Sequence, residues 1–286
     1  YETQSSGRYS IDGDVSAVVR VPYNEARYGR PFEGVLYGAP CTLQSLVCSN
    51  TWPLIGDAMK QWVADQKAAG KSDADIAAYL ATFDRLDRYD HDGDGDFNEP
   101  DGYLDHVLIV HAGGAREDLD LVYGEDAING PSSYAFYTEV GQTGPAFNPL
   151  GGTEIEGTGY WVGNYTIQAE NGGLSAIAHE HGHDLGLPDQ YDQFQAIVGS
   201  WDYDGTQGFW TLMCQARLSA PGDGTIGNRL GDLGVWDKLV LGWLDYEVAF
   251  AGEDRTIELG PHEYNTGKPH ALVVVVLRGR GRGRLI

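Results

Sequence analysis

Apolar residues recur at helical spacing in several stretches of the chain. Over residues 54–69, Ile55, Met59, Trp62 and Val63 share one face, which predicts an amphipathic helix. Ser72-Asp73-Ala74-Asp75 then supplies a capping-box start, and Ile76, Leu80 and Phe83 at i, i+4 and i+7 predict a second helix. A third is expected from about Leu174 to Leu185, capped by Asn171 and ended by Gly186. A last one covers Leu233–Leu241, with Leu233, Trp236, Leu239 and Val240 turned inward.

Strand signals lie between the helices. Val107–Val110 is an apolar run suited to a buried strand, and Tyr165–Ala169 reads as another. Short β-like runs occur at Val15–Val21 and Gly34–Gly38, and from Tyr246 the pattern turns to β, ending in Val273–Val276. Residues 112–160 and 187–228 read as long irregular stretches, of the kind that builds binding surfaces. Helices and strands are interleaved without a repeat, so the class is mixed α and β. Residues 1–245 form one unit, and 246–286 read as the start of a truncated C-terminal β region.

Composition narrows the function. The 286 residues carry a net charge of −23, although four of the arginines (Arg278, Arg280, Arg282 and Arg284) crowd into a low-complexity tail. A body this acidic repels phosphate backbones, which argues against nucleic-acid binding and for cation binding. The longest apolar run, Ala271–Leu277, is far short of the ~20 residues that a bilayer helix needs. Five lysines and two methionines against 40 glycines and 17 tyrosines suit a secreted, loop-rich protein. Tyr1 opens on a polar segment without a signal peptide, so an exported form is expected to be numbered after processing. In an oxidising compartment Cys41 and Cys48 can close a small loop, leaving Cys214 over.

The decisive segment is His179-Glu180-His181-Gly182-His183. Residues four apart on a helix point the same way, so His179 and His183 can share one tetrahedral zinc. Glu180 then reaches a water on that ion without binding the metal itself. His181 points away from that face and is excluded as a ligand. Gly186 lets the chain double back, and Pro188 stiffens the return that brings Asp189 round as an oxygen ligand. Asp192 is the competing third ligand. HExxH is expected by chance about 0.01 times in a chain of this composition, so a surface helix with incidental histidines explains it poorly.

A second cluster, Asp90, Asp92, Asp94, Asp96, Asn98 and Asp101, places oxygen ligands at positions 1, 3, 5, 7, 9 and 12 of a twelve-residue loop, with Gly95 at position 6. That is EF-hand grammar for Ca²⁺, although Pro100 and the strand signal beyond it argue against an exit helix. Five carboxylates this close repel one another without a counter-ion. Glu117, Asp118 and Asp120 read as a solvated loop, with another cation site as the alternative.

With these motifs in place, the chain resembles the immune inhibitor A family of secreted bacterial zinc metallopeptidases, a branch of the metzincin clan. Four blocks carry the likeness: His179–Asp192, Phe209–Met213, Gly234–Leu244 and Tyr89–His111. It implies an α+β metzincin-like catalytic domain with a twisted mixed sheet, an active-site helix and a cleft. It also implies that Met213 forms a Met-turn beneath the metal, that an inhibitory propeptide and further flanking domains belong to the full protein, and that Tyr165–Ala169 pairs with an extended substrate. The expected function is zinc-dependent hydrolysis of peptide bonds in protein or peptide substrates, with Glu180 as general base and Ca²⁺ in a structural role. Two alternatives share the metal: a calcium-stabilised adhesion module with a non-catalytic zinc, and a zinc amidase acting on a non-protein amide. The first is disfavoured because structural zinc is normally closed by four protein ligands.

Overall fold

The computed structural model describes residues 1–30, 35–36, 39–40, 51–114, 134–137, 145, 151–170, 172–191, 207–214, 227, 229–278 and 282–285. Cys41, Cys48, Glu117, Asp118, Asp120, Asn171 and Asp192 lie outside them. In chain order the helices are α1 (Glu25–Gly29), α2 (Thr51–Ala68), α3 (Asp73–Leu80), α4 (Leu174–Asp184) and α5 (Val235–Val240). The strands are β1 (Val35–Leu36), β2 (Ala39–Pro40), β3 (Leu108–His111), β4 (Tyr134–Tyr137), β5 (Thr153–Ile155), β6 (Tyr160–Val162), β7 (Asn164–Ala169), β8 (Tyr246–Phe250), β9 (Ala271–Arg278) and β10 (Arg282–Leu285).

Helices α2 and α3 form where the periodicity places them. The inward face of α2 buries Leu54, Ile55, Ala58 and Val63, with Met59 and Trp62 half-buried beside them. Its companion α3 starts on the expected capping box: the Ser72 amide donates to Asp75 Oδ2 at 2.9 Å, and the Asp75 amide donates back to Ser72 Oγ at 3.2 Å. These helices pack with the β5–β6 hairpin over one apolar core that includes Ile76, Leu80, Ile155, Val162, Tyr165 and Ile167. A second core of Ala178, Leu187, Leu212, Met213, Leu233 and Trp243 lies under α4.

The main sheet has the order β3-β7-β4, with β7 parallel to β3 and antiparallel to β4. Tyr165, Thr166, Ile167, Gln168 and Ala169 are all buried, so β7 is covered on both faces as well as paired at both edges. It therefore has no edge for an extended substrate, which corrects the pairing that the clan likeness implies. Among the described residues, β4 forms the outer side of that sheet, and both β4 and β7 pack against α4. Beyond residue 245, β8, β9 and β10 form a separate sheet of order β10-β9-β8.

Other sequence expectations give way to tertiary context. Val15–Val21 forms no strand: Val15 and Val18 are 92% and 99% exposed, because β-propensity without a partner buries nothing. In β3, Leu108 and Val110 are exposed and only Ile109 packs on the core, so this edge strand is not the buried one its apolar run suggests. The stretch 112–160, read as mostly loop, holds the two short strands β4 and β5 and ends where β6 begins. The face of α5 is inverted: Trp236, Leu239 and Val240 are exposed, whereas Asp237 and Lys238 are 0% and 1% exposed. Both polar groups find hydrogen-bond partners, Asp237 in the network described below and Lys238 Nζ on the His262 carbonyl, which offsets their desolvation. Helix α4 is capped by Gly173. A Cβ there would stand 2.1 Å from the Gly227 carbonyl carbon, so this close approach requires glycine. No helix among the described residues is long and apolar enough to cross a membrane.

Candidate metal centre

The site is built on α4 and on the turn that ends it. Gly186 adopts φ 86°, and the amides of Gly186 and Leu187 donate to the His183 and Gly182 carbonyls at 2.9 and 3.0 Å. This pair of bonds is a Schellman ending, which reverses the chain within one turn. The Gln190 amide then donates to the Met213 carbonyl at 2.8 Å, fixing the residue next to Asp189.

Two carbonyls set the imidazoles. His179 Nδ1 lies 2.8 Å from the Leu212 carbonyl, and His183 Nδ1 lies 2.8 Å from the Leu187 carbonyl. A carbonyl only accepts, so each Nδ1 carries a proton and each Nε2 is the atom available to a metal. Those Nε2 atoms stand 3.1 and 3.4 Å from the same oxygen, Asp189 Oδ1. Two nitrogens and one hard oxygen thus converge on one point, a donor set that fits zinc with an open fourth position. The local field favours a cation. Burial would raise the Asp189 carboxyl, but His179 and His183 hold it well below the usual range. Burial would lower His183, yet Asp189, Glu180 and the Leu187 carbonyl push it up to about 9. Glu180 is buried on the same helix.

Met213 is fully buried under α4, where a Cβ added at Gly182 would stand 2.5 Å from its Sδ. The glycine in the motif is therefore a seat for the methionine sulfur. Around it runs a network that periodicity did not reveal. Asp237 accepts from Thr211 Oγ1, from Gln190 Nε2 and, at 2.8 Å, from the Gly234 amide. One carboxylate in α5 thereby ties together the Met213 turn, the Asp189 return and its own helix start. Its place three residues after Gly234, at a capping position, is the one sequence signal that could have exposed it.

In the acidic loop, Asp90, Asp92 and Asp94 offer oxygens within 4.8 Å of one another. Gly95 has φ 86°, and its amide donates to Asp90 Oδ1 at 3.0 Å. Asp96 accepts from the Asn98 amide at 2.9 Å. Asp101 sits instead with Asp87 and His91. Burial, followed by Asp84, Asp87 and Asp105, pushes its carboxyl up to about 7 even though it accepts from the Tyr103 amide. No helix follows the loop between residues 96 and 107, in keeping with a loop that leads toward a strand.

Two histidines and one carboxylate converge beside a buried glutamate on one helix, the donor set that HExxH metallopeptidase motifs present. Residues 1–244 match the sequence profile of the immune inhibitor A peptidase M6 catalytic domain, and the chain belongs to that family. Over 197 residues it is 36% identical to an immune inhibitor A of Bacillus thuringiensis subsp. alesti, covering 67% of this chain and 25% of that protein. Over 233 residues it is 31% identical to the pre-pro-metalloprotease PrtV of Vibrio cholerae serotype O1 strain M66-2, covering 79% of this chain and 21% of that protein. The chain thus spans about a quarter of the first relative and a fifth of the second. The family likeness carried by the four motif blocks is borne out, and so is the mixed α+β class.

Proposed function

We propose that this chain is the catalytic part of a secreted zinc metalloendopeptidase that hydrolyses peptide bonds in protein or peptide substrates. One observation carries the reading: His179 Nε2 and His183 Nε2 converge on Asp189 Oδ1 from the helix that holds Glu180. A zinc ion held by these three residues would supply Lewis-acid polarisation of the scissile carbonyl and acidify the attacking water toward pKa ~7. Glu180 takes the proton released by that water and passes it to the leaving amine. Leu212 and Leu187 hold the imidazole tautomers through their carbonyls, and Met213 supports the helix from below. The names of the relatives support the peptidase activity, and the composition supports export. A relative made as a pre-pro-protein supports an inhibitory propeptide here too. Residues 246–286 are then the start of a further β region.

Chelation tests the zinc. Phenanthroline should abolish cleavage of casein, and added zinc should restore it. Undiminished cleavage in the metal-stripped protein would exclude this mechanism. A binding module would bind its partner but show no cleavage with zinc present.

Ca²⁺ is the second proposed cofactor, held by Asp90, Asp92 and Asp94, with Asp96, Asn98 and Asp101 as the remaining positions of the loop. Its role is to neutralise carboxylates that otherwise repel one another across a short loop. In calcium-free protein, Asp101 keeps a proton that the unfolded chain gives up above about 3.8, so its contribution to stability falls as pH rises from about 3.8 to about 7. Thermal unfolding in EGTA should therefore show a decline across that window that Asp101→Asn reduces and added Ca²⁺ offsets. A wild-type protein with the same pH slope as Asp101→Asn, and no response to Ca²⁺, would count against the site.

A further inference from the structure

His181 is not idle. His181 and Asp184, three residues apart on α4, project ~60° from each other on the side of the helix away from His179 and His183. His106, in the segment leading into β3, meets them there. His106 Nδ1 is 2.7 Å from Asp184 Oδ2, and His181 Nδ1 is 3.6 Å from the same oxygen. The two rings cross at 74° with centroids 5.0 Å apart, close to the 83° and 4.8 Å of the His179–His183 pair. Asp184 and His181 are each 9% exposed.

Short as the His106–Asp184 approach is, it lacks the alignment of a hydrogen bond. At 2.7 Å this means that the ring N–H axis misses the carboxylate oxygen. A proton on that axis bridges nothing, whereas an ion on it, one bond length out, can touch both atoms. The outer support of a ligand is also present: His181 Nε2 lies 2.7 Å from the Tyr9 hydroxyl, which can accept its N–H while Nδ1 binds. The His106 side chain is 28% exposed, leaving solvent a way in to complete the coordination.

We propose that His106, His181 and Asp184 form a second site for a divalent transition ion of the zinc class, on the back of the active-site helix. Two imidazoles and a carboxylate suit such an ion better than Ca²⁺ or Mg²⁺, which prefer oxygen. The ion would clip three parts of the chain together: α4, the approach to β3 and, through Tyr9, the N-terminal segment. The site stands apart from the peptidase reading, since it shares no ligand with His179, His183 and Asp189.

The test is zinc content and zinc-edge anomalous diffraction on the full chain. Zinc-loaded wild type should bind about two equivalents and show one anomalous peak among His106, His181 and Asp184 and another at His179 and His183. His106→Ala should bind about one equivalent and keep the second peak alone. A single wild-type equivalent with no density at His106 would overturn the proposal, as would an unchanged stoichiometry in His106→Ala. A peak at His106 with none at His179 would uphold this site and sink the catalytic one. Diffraction from the wild type decides the matter even if His106→Ala does not fold.

Discussion

Glu180→Ala should retain the zinc of the His179 centre and lose nearly all proteolysis. The proposed metal-binding atoms are two imidazole nitrogens and Asp189 Oδ1, none of which the substitution touches. The Nδ1 contacts to the Leu212 and Leu187 carbonyls that orient the rings come from other parts of the chain. What disappears is the group proposed to move the proton. General acid–base participation is worth ~10²–10⁴ in rate, so cleavage of a casein substrate should fall by about that factor. Metal analysis beside the assay separates loss of chemistry from loss of metal. A variant with full zinc and full activity would remove Glu180 from the mechanism.

Asp237→Ala carries the second large effect, this time on folding. Asp237 is wholly buried and accepts from Thr211, Gln190 and the Gly234 amide. Truncation leaves these donors facing a void, and leaving buried donors unsatisfied typically costs ~1–3 kcal/mol. For a chain whose total stability is of order 5–15 kcal/mol, that is a large fraction. Denaturant unfolding should show a correspondingly lower midpoint. Because Gln190 follows Asp189, zinc affinity in the surviving folded protein should fall too. An unshifted midpoint would mean that the network contributes little.

The metal centre was legible because its chemistry is local: two histidines, a glutamate and a turn glycine lie within eight residues, and helix geometry alone aligns them. The capping box of α3 and the apolar face of α2 were legible for the same reason. What escaped depends on distant partners. Beyond the capping spacing of Gly234 and Asp237, no local pattern points to Thr211 or the His262 carbonyl as partners, so the apolar face of α5 was assigned to the wrong side. Val15 and Val18 have strand character but no strand to join. His181 points away from the His179–His183 pair as helix spacing requires, yet His106 lies 75 positions earlier and only the fold brings the two together.

The enclosure of β7 has a consequence for how the centre can come apart. Sealed on both faces and both flanks, this strand should exchange its amide protons only through opening of the whole molecule, and it hands over to α4 through residues 170–173 alone. The two imidazoles ride on a helix that packs against this enclosed strand. Asp189 hangs from a reverse turn instead, so an ion that escapes should leave on the carboxylate side, with the helix still intact behind it.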